Sequence, residues 1–203
     1  MKALIINCTL KKSRADSNTE ALARVLADEL KKRGVESEFV RAVDHNILPG
    51  VTSNEGAGDG WPKIRSKILD AEILILASPT WVGRLSSVAQ RAIERMDAFL
   101  SETDDQEYPV AYNHVAGFVV TGNEDGAKHV IAEMEASLLE LGFTVPGQAW
   151  TYWNNGAALG SGYLENPESN GKKRAVKNAA IAASNLVAAA KALAAHPIPA
   201  PPD

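Results

Sequence analysis

The sequence predicts an α/β domain built on a doubly wound, five-stranded parallel sheet with helices on both faces. Three observations carry that expectation. Short apolar runs alternate with helix-period segments about five times along the 203 residues, a rhythm that implies a parallel sheet covered on both sides. One run, Ile73-Leu74-Ile75-Leu76-Ala77, is apolar at every position, the pattern of a strand buried on both faces. Three runs end in polar turns, Thr9–Thr19, Ser78–Gly83 and Thr121–Gly126. In a sheet of this kind all three turns fall on the rim formed by the strands' carboxyl ends, where ligands bind.

The elements follow in order. Ala3-Leu4-Ile5-Ile6-Asn7-Cys8 reads as the first strand, and Asn18 opens an amphipathic helix that runs through Leu30. Lys31-Lys32-Arg33-Gly34 supplies a basic last turn and a glycine stop. Val35 to Val40 alternates as a second strand. Residues 44–60 hold Pro49, Gly50, Gly56, Gly58 and Gly60 and read as an irregular surface loop. Pro62 sits in the first turn of the next helix, whose apolar face is Ile64, Ile68 and Leu69. Beyond the Ser78 turn a helix is expected over about residues 86–100, then a polar loop to Pro109. Val115 to Val120 is the fourth strand, followed by a helix with Val130, Ile131, Met134, Leu138 and Leu141, closed by Gly142. Phe143-Thr144-Val145-Pro146 reads as a weaker fifth strand. Residues 150–162, rich in Gly, Asn and aromatics, are assigned to no element. An alanine-rich helix over about residues 171–195 completes a single domain expected to span 1–195. The proline-rich residues 196–203 cannot continue a helix and are expected to form a disordered tail.

Composition narrows the function classes. Hydrophobic residues at 45% and charged residues at 23% are those of an ordinary globular domain. A net charge of −4 gives no reason to propose nucleic acid or an anionic membrane as a partner. No run reads as a membrane span, and the opening residues read as a strand rather than a secretion signal. The expectation is a soluble, cytoplasmic protein. A single cysteine, Cys8, excludes an internal disulfide framework and a cysteine-ligated cluster; at the end of an apolar strand it reads as an inert buried thiol. His45, His114, His129 and His196 show no metal-ligand spacing.

The chemistry therefore rests on the three turns. The first offers the hydroxyls of Thr9, Ser13, Ser17 and Thr19, the amide of Asn18, and the cations Lys11, Lys12 and Arg14. Together with the free N–H groups of a helix start, these suit an anion. The plainer reading of Ser17 or Asn18 is an ordinary N-cap. The turn lacks the G-x-G-x-x-G and G-K-[ST] spacings, so neither a dinucleotide-binding nor an NTPase loop is favoured. In the second turn Pro79 fixes the backbone, Gly83 permits close approach and Trp81 offers a flat apolar wall, which suits a planar ligand. The third, with Thr121, Gly122, Asn123, Asp125 and Gly126, offers backbone donors; its plainer reading is a turn before a helix capped by Asn123 or Asp125.

Ser78-Pro79-Thr80-Trp81-Val82-Gly83, continuing to Ile93-Glu94-Arg95-Met96-Asp97, resembles the ring-binding segment of flavodoxin-like NAD(P)H-dependent FMN reductases. Ser17-Asn18-Thr19 is similar to that family's phosphate loop, and Thr121-Gly122-Asn123 stands where its second ring-binding loop falls. Cys8-Thr9-Leu10-Lys11 departs from the Gly-Ser-x-Arg usual there, and extra residues separate Thr9 from Ser17. The resemblance implies a flavodoxin-like fold in which Thr9, Lys11, Ser17, Asn18 and Thr19 hold the FMN phosphate. Pro79, Thr80, Trp81, Val82, Gly83, Thr121, Gly122, Asn123, Asp125 and Gly126 would then hold the ring. It implies NAD(P)H as co-substrate, a small-molecule electron acceptor such as a flavin or quinone, and a homodimer or homotetramer. Hydride passes from nicotinamide to flavin directly, so no catalytic residue is assigned. The alternative is a flavodoxin-like electron-transfer protein without NAD(P)H oxidation of its own.

Overall fold

A computed structural model describes residues 1–156, 160–166 and 169–201. Strand β1 (Lys2–Asn7) leads into helix α1 (Asn18–Lys31), β2 (Glu36–Arg41) and α2 (Trp61–Leu69). Then come β3 (Ile73–Trp81), a two-residue β4 (Arg84–Leu85), α3 (Ser87–Met96), β5 (Val115–Gly122), α4 (Ala127–Glu140), β6 (Trp150–Asn154) and α5 (Asn170–Ala195). The sheet order is β2-β1-β3-β5-β6, every neighbouring pair parallel, with β4 antiparallel to the end of β3. The chain winds from β1 outward to β2 and then back past β1 to β3. That reversal places the topological switch point between β1 and β3.

Both faces of the sheet are covered, as the all-apolar strands require. On one face Leu22, Leu26 and Leu30 of α1 meet Ala175, Ala179, Ala182, Ala183 and Leu186 of α5 over Ile5, Ile75 and Val119. On the other, Trp61, Ile64 and Ile68 of α2, Ala89 and Met96 of α3, and Val130, Met134 and Leu138 of α4 cover Leu4, Leu76 and Phe118. Although α5 is long and apolar enough to cross a bilayer, its mean hydropathy reaching 1.3 over 18 residues, its alanine face is spent on the sheet and α1.

The fifth parallel strand is Trp150–Asn154 and not Phe143–Pro146, where Thr144 makes one isolated bridge to Val115. Pro146 has no N–H to donate to a ladder. The aromatic stretch after it alternates with period two, Thr151 and Trp153 inward under α5, Trp150 and Tyr152 toward the other layer. Of the C-terminal tail, the Ile198 amide donates to Asn113 Oδ1 (2.7 Å) and the Ile198 carbonyl accepts from Asn113 Nδ2 (3.3 Å). Residues 202 and 203 lie outside the described residues.

The glycine-rich loop of residues 44–60 is anchored from within. Arg95 of α3, fully buried, donates to Asp59 Oδ2 (2.7 Å), the Leu48 carbonyl (2.9 Å) and the Thr52 carbonyl (2.8 Å). Burial raises the Asp59 pKa, but Arg95 and the amides of Glu55, Trp61 and Leu48 outweigh it and hold the carboxyl well below the usual carboxylate range.

Candidate functional site

At the carboxyl ends of β1, β3 and β5 the loops leave a cleft of about 200 Å³. Its floor begins at Thr9, buried just past β1, whose amide donates to Asn7 Oδ1 (3.2 Å) and whose hydroxyl accepts the Lys11 amide (3.3 Å). Ser17 is the N-cap of α1: its Oγ accepts the Glu20 amide (3.1 Å) while the hydroxyl proton stays available. Among the described residues, the Asn18 and Thr19 amides have no intramolecular acceptor, as expected for the first turn of a helix. Thr19 Oγ1 lies 2.7 Å from Thr121 Oγ1, which ties the first rim loop to the third.

The intervening loop is braced from below by Arg41, which donates to the carbonyls of Lys11, Lys12 and Ala15 and pairs with Glu20. Burial works upward on the Glu20 pKa, and the guanidinium groups of Arg41 and Arg24 bring it below its ordinary value. Ser13 is turned away to Asp44, whose carboxyl its hydroxyl and amide hold low. Lys11 lines the cleft; Arg14, at φ +77°, lines a separate hollow with Asp44 and His45. Cys8, beneath the floor, is fully buried, and burial pushes its thiol pKa far up, which leaves it inert.

The second rim segment is less a turn than a strand. β3 continues through Pro79, which pairs with Thr121, to Thr80 and Trp81, which pair with Leu85 and Arg84 of β4. The connection is the two residues Val82 and Gly83, at φ +52° and +72°, a primed hairpin turn. Pro79, Thr80 and Trp81 line the cleft; Val82, 89% exposed, and Gly83 form a tip beyond it. Thr80 is 2% exposed, and its Oγ1 has no hydrogen-bond partner among the described residues. An unpaired buried hydroxyl costs free energy.

Thr121, Gly122 and Asn123 line the third side; Asp125 and Gly126 do not. Neither Asn123 nor Asp125 caps α4, whose N-cap is Gly126 at φ +114°. A Cβ at Gly126 would come 2.9 Å from Gly83 Cα, so glycine is what lets the hairpin tip and the third loop touch. Asp125 accepts from the Gly126 amide (2.7 Å) and from Asn154 Nδ2 (3.0 Å).

The fourth side has no counterpart among the three predicted turns. Trp153 of β6 and Gly160, Gly162, Tyr163 and Glu165 line it. Tyr163 packs edge-on to Trp153 with ring centroids 5.8 Å apart, and burial raises its hydroxyl pKa. The available signal was the aromatic alternation from Trp150 to Trp153 and the Gly and Asn richness after it, too short and too polar to place a wall.

The fold defines a class, a flavodoxin-like protein with a cleft at the carboxyl ends of its central strands. The chain belongs to the family described as NADPH-dependent FMN reductase, which matches residues 1–158. FMN with NAD(P)H is that family's cofactor pairing, and the chain is accordingly a flavoprotein of the oxidoreductase class. It is 36% identical over 174 residues to 8-demethyl-8-aminoriboflavin-5'-phosphate synthase of Streptomyces davaonensis, covering 81% of this chain and 68% of that protein. It is 39% identical over 182 residues to a Mycobacterium bovis protein named divalent metal cation transporter MntH, and spans 26% of that relative's length. Among solved structures, RosB with a bound 8-demethyl-8-formylriboflavin-5'-phosphate intermediate superposes with TM-score 0.86 at 31% identity, covering 98% of this chain and 82% of that one. A Streptococcus pneumoniae flavodoxin, TM-score 0.56 at 15% identity, shares the fold.

The donor set fits FMN. Free amides at a helix start, several hydroxyls and one cation suit a phosphate. An unpaired buried hydroxyl beside a half-exposed Trp81 suits the edge and face of a polar ring.

Proposed function

We propose that this protein passes electrons from NAD(P)H through FMN held in the rim cleft to a flavin, quinone or other small acceptor, in the cytoplasm. The bound flavin supplies hydride acceptance and electron release, and the chain supplies binding and orientation. Thr9, Lys11, Ser17 and Thr19, with the α1 amides, hold the phosphate. Pro79, Thr80 and Trp81, with Thr121, Gly122 and Asn123, hold the ring. The observation that carries this reading is the convergence on one cleft of a free helix start and the unpaired Thr80 hydroxyl. The exposed Trp81 and Val82 tip beside the cleft favours a homodimer or homotetramer over an isolated chain.

Purified protein is expected to be yellow, to release FMN on denaturation, and to bleach rapidly on addition of NADPH under nitrogen. Colour that persists with NADPH but is lost with dithionite would instead define an electron carrier. A second reading, favoured by the 36% identity to an aminoriboflavin-phosphate synthase, makes the flavin phosphate the substrate. Mass spectrometry of the released flavin after turnover separates the two, since a reductase returns FMN unchanged.

A further inference from the structure

We infer that Tyr163 is a ligand-positioning residue supplied from outside the three rim turns, its hydroxyl donating to a terminal oxygen of the phosphate held at the start of α1. This rests on the flavin reading above, and it holds whether the flavin phosphate is cofactor or substrate. Tyr163 lies beyond the residues 1–158 that match the family.

Its place is the corner between the start of α1 and β6. The residues on either side of it in the chain both meet Asn18, the first residue of α1. The Leu164 amide donates to Asn18 Oδ1 (2.9 Å), and a Cβ on the buried Gly162 would collide with the Asn18 side-chain amide. The Tyr163 ring packs against Trp153. Trp153 in turn pairs with Thr121 in the sheet, and Thr121 Oγ1 lies 2.7 Å from Thr19 Oγ1 in the first turn of α1. Two further bonds hold the segment on the rim: the Gly160 amide donates to the Asn123 carbonyl (3.1 Å), and Glu165 Oε2 accepts the Gly162 amide (3.0 Å).

What remains of Tyr163 for the cleft is its hydroxyl. The residue lines the cleft yet is only 3% exposed. The Lys172 ammonium stands over the ring, 4.3 Å from its centroid. The Tyr163 carbonyl accepts from Lys172 Nζ (3.4 Å) and from the Asn166 amide (3.4 Å), whereas the hydroxyl makes no hydrogen bond among the described residues. A buried tyrosine hydroxyl usually finds a partner, and the partner a phenol O–H suits best in an anion site is a charged oxygen. Burial raises the pKa of this hydroxyl, which keeps its proton in place for donation. A phosphate monoester presents several strongly accepting oxygens. The free α1 amides, the Ser17 hydroxyl and Lys11 therefore leave lone pairs for a further donor on the side of Tyr163.

The test is fluorescence titration of apoprotein with FMN and with riboflavin, in wild type and in Tyr163→Phe, which keeps the ring and removes the hydroxyl. The variant should weaken FMN by about tenfold or more, as loss of a hydrogen bond to a charged group requires. Riboflavin should change by less than about twofold, and the ligand-free unfolding midpoint should stay where it is in wild type. The phosphorus NMR resonance of bound FMN should also differ between the two proteins. Equal weakening of both flavins puts the hydroxyl on the ring or the ribityl chain, and an unchanged FMN affinity takes it off the ligand. Either result overturns the inference and leaves the flavin reading standing. Wild type that binds neither flavin overturns that reading, and the inference with it.

Discussion

At the scale of single residues, the most informative atom is the Thr80 hydroxyl, buried without a partner at the edge of the cleft. Replacing it by the isosteric methyl of valine removes an unpaired polar group, so Thr80→Val should leave the flavin-free protein as stable as wild type or up to about 1 kcal/mol more stable. The same change should weaken FMN by about five- to tenfold, the worth of one buried hydrogen bond. Urea unfolding of the apoprotein and a flavin titration read the two effects separately. An unchanged FMN affinity would remove Thr80 from the ring site. The residue types of this site were legible in the sequence, since Thr9, Ser17, Thr19, Thr80 and Thr121 do meet on one cleft. Their finer geometry was not. Val82 and Gly83 read as part of a ligand turn, whereas strand pairing carries β3 through Trp81 and leaves those two residues as a hairpin tip. The pairing of Pro79 with Thr121, 42 positions on, is a long-range fact that a local reading of Pro79 as a rigid turn residue does not contain.

At the scale of elements, the loop of residues 44–60 is irregular and largely exposed, as its glycines predict. The buried Arg95–Asp59 pair anchors it to the core beneath. Arg95→Met should cost about 3–5 kcal/mol, because it leaves the Asp59 carboxylate buried without its cation. Adding Asp59→Asn to that background should recover part of the loss, since no charge then remains to desolvate. Chemical denaturation of the single and double variants checks this, and a double variant no more stable than Arg95→Met would refute the account. The pair also sets an acid dependence. Asp59 has a folded-state pKa below its unfolded value, so its contribution is full above the ordinary carboxylate range near about pH 4. It is lost as pH falls below that range toward the folded value. Four of the five parallel strands were readable as apolar or alternating runs. The fifth was displaced from Phe143–Pro146 to Trp150–Asn154 because half-buried aromatics on an edge strand alternate without looking apolar.

At the scale of the whole molecule, the fold class followed from alternation, but the cleft depends on how distant pieces are held together. The Thr19–Thr121 hydroxyl contact and the Asn18–Leu164 tie link α1 to residues more than 100 positions away. A ligand seated among such loops stabilises the native state by linkage, by about 2.7 kcal/mol at a hundredfold excess over Kd. For a domain of this size each kcal/mol shifts Tm by about 2–4 °C, so saturating FMN should raise Tm by about 5–11 °C. Riboflavin, which lacks the phosphate we propose for the α1 start, should raise it by less at the same concentration. Removing the two hydroxyls in Ser17→Ala with Thr19→Ala should weaken FMN by more than about tenfold and bring its shift toward that of riboflavin. The Ser17 substitution also removes an N-cap, at about 1 kcal/mol, so the ligand-free Tm of the variant must serve as its own baseline. If FMN and riboflavin shift wild type equally, the phosphate is not held at the start of α1. If neither shifts it, the cleft is not a flavin site.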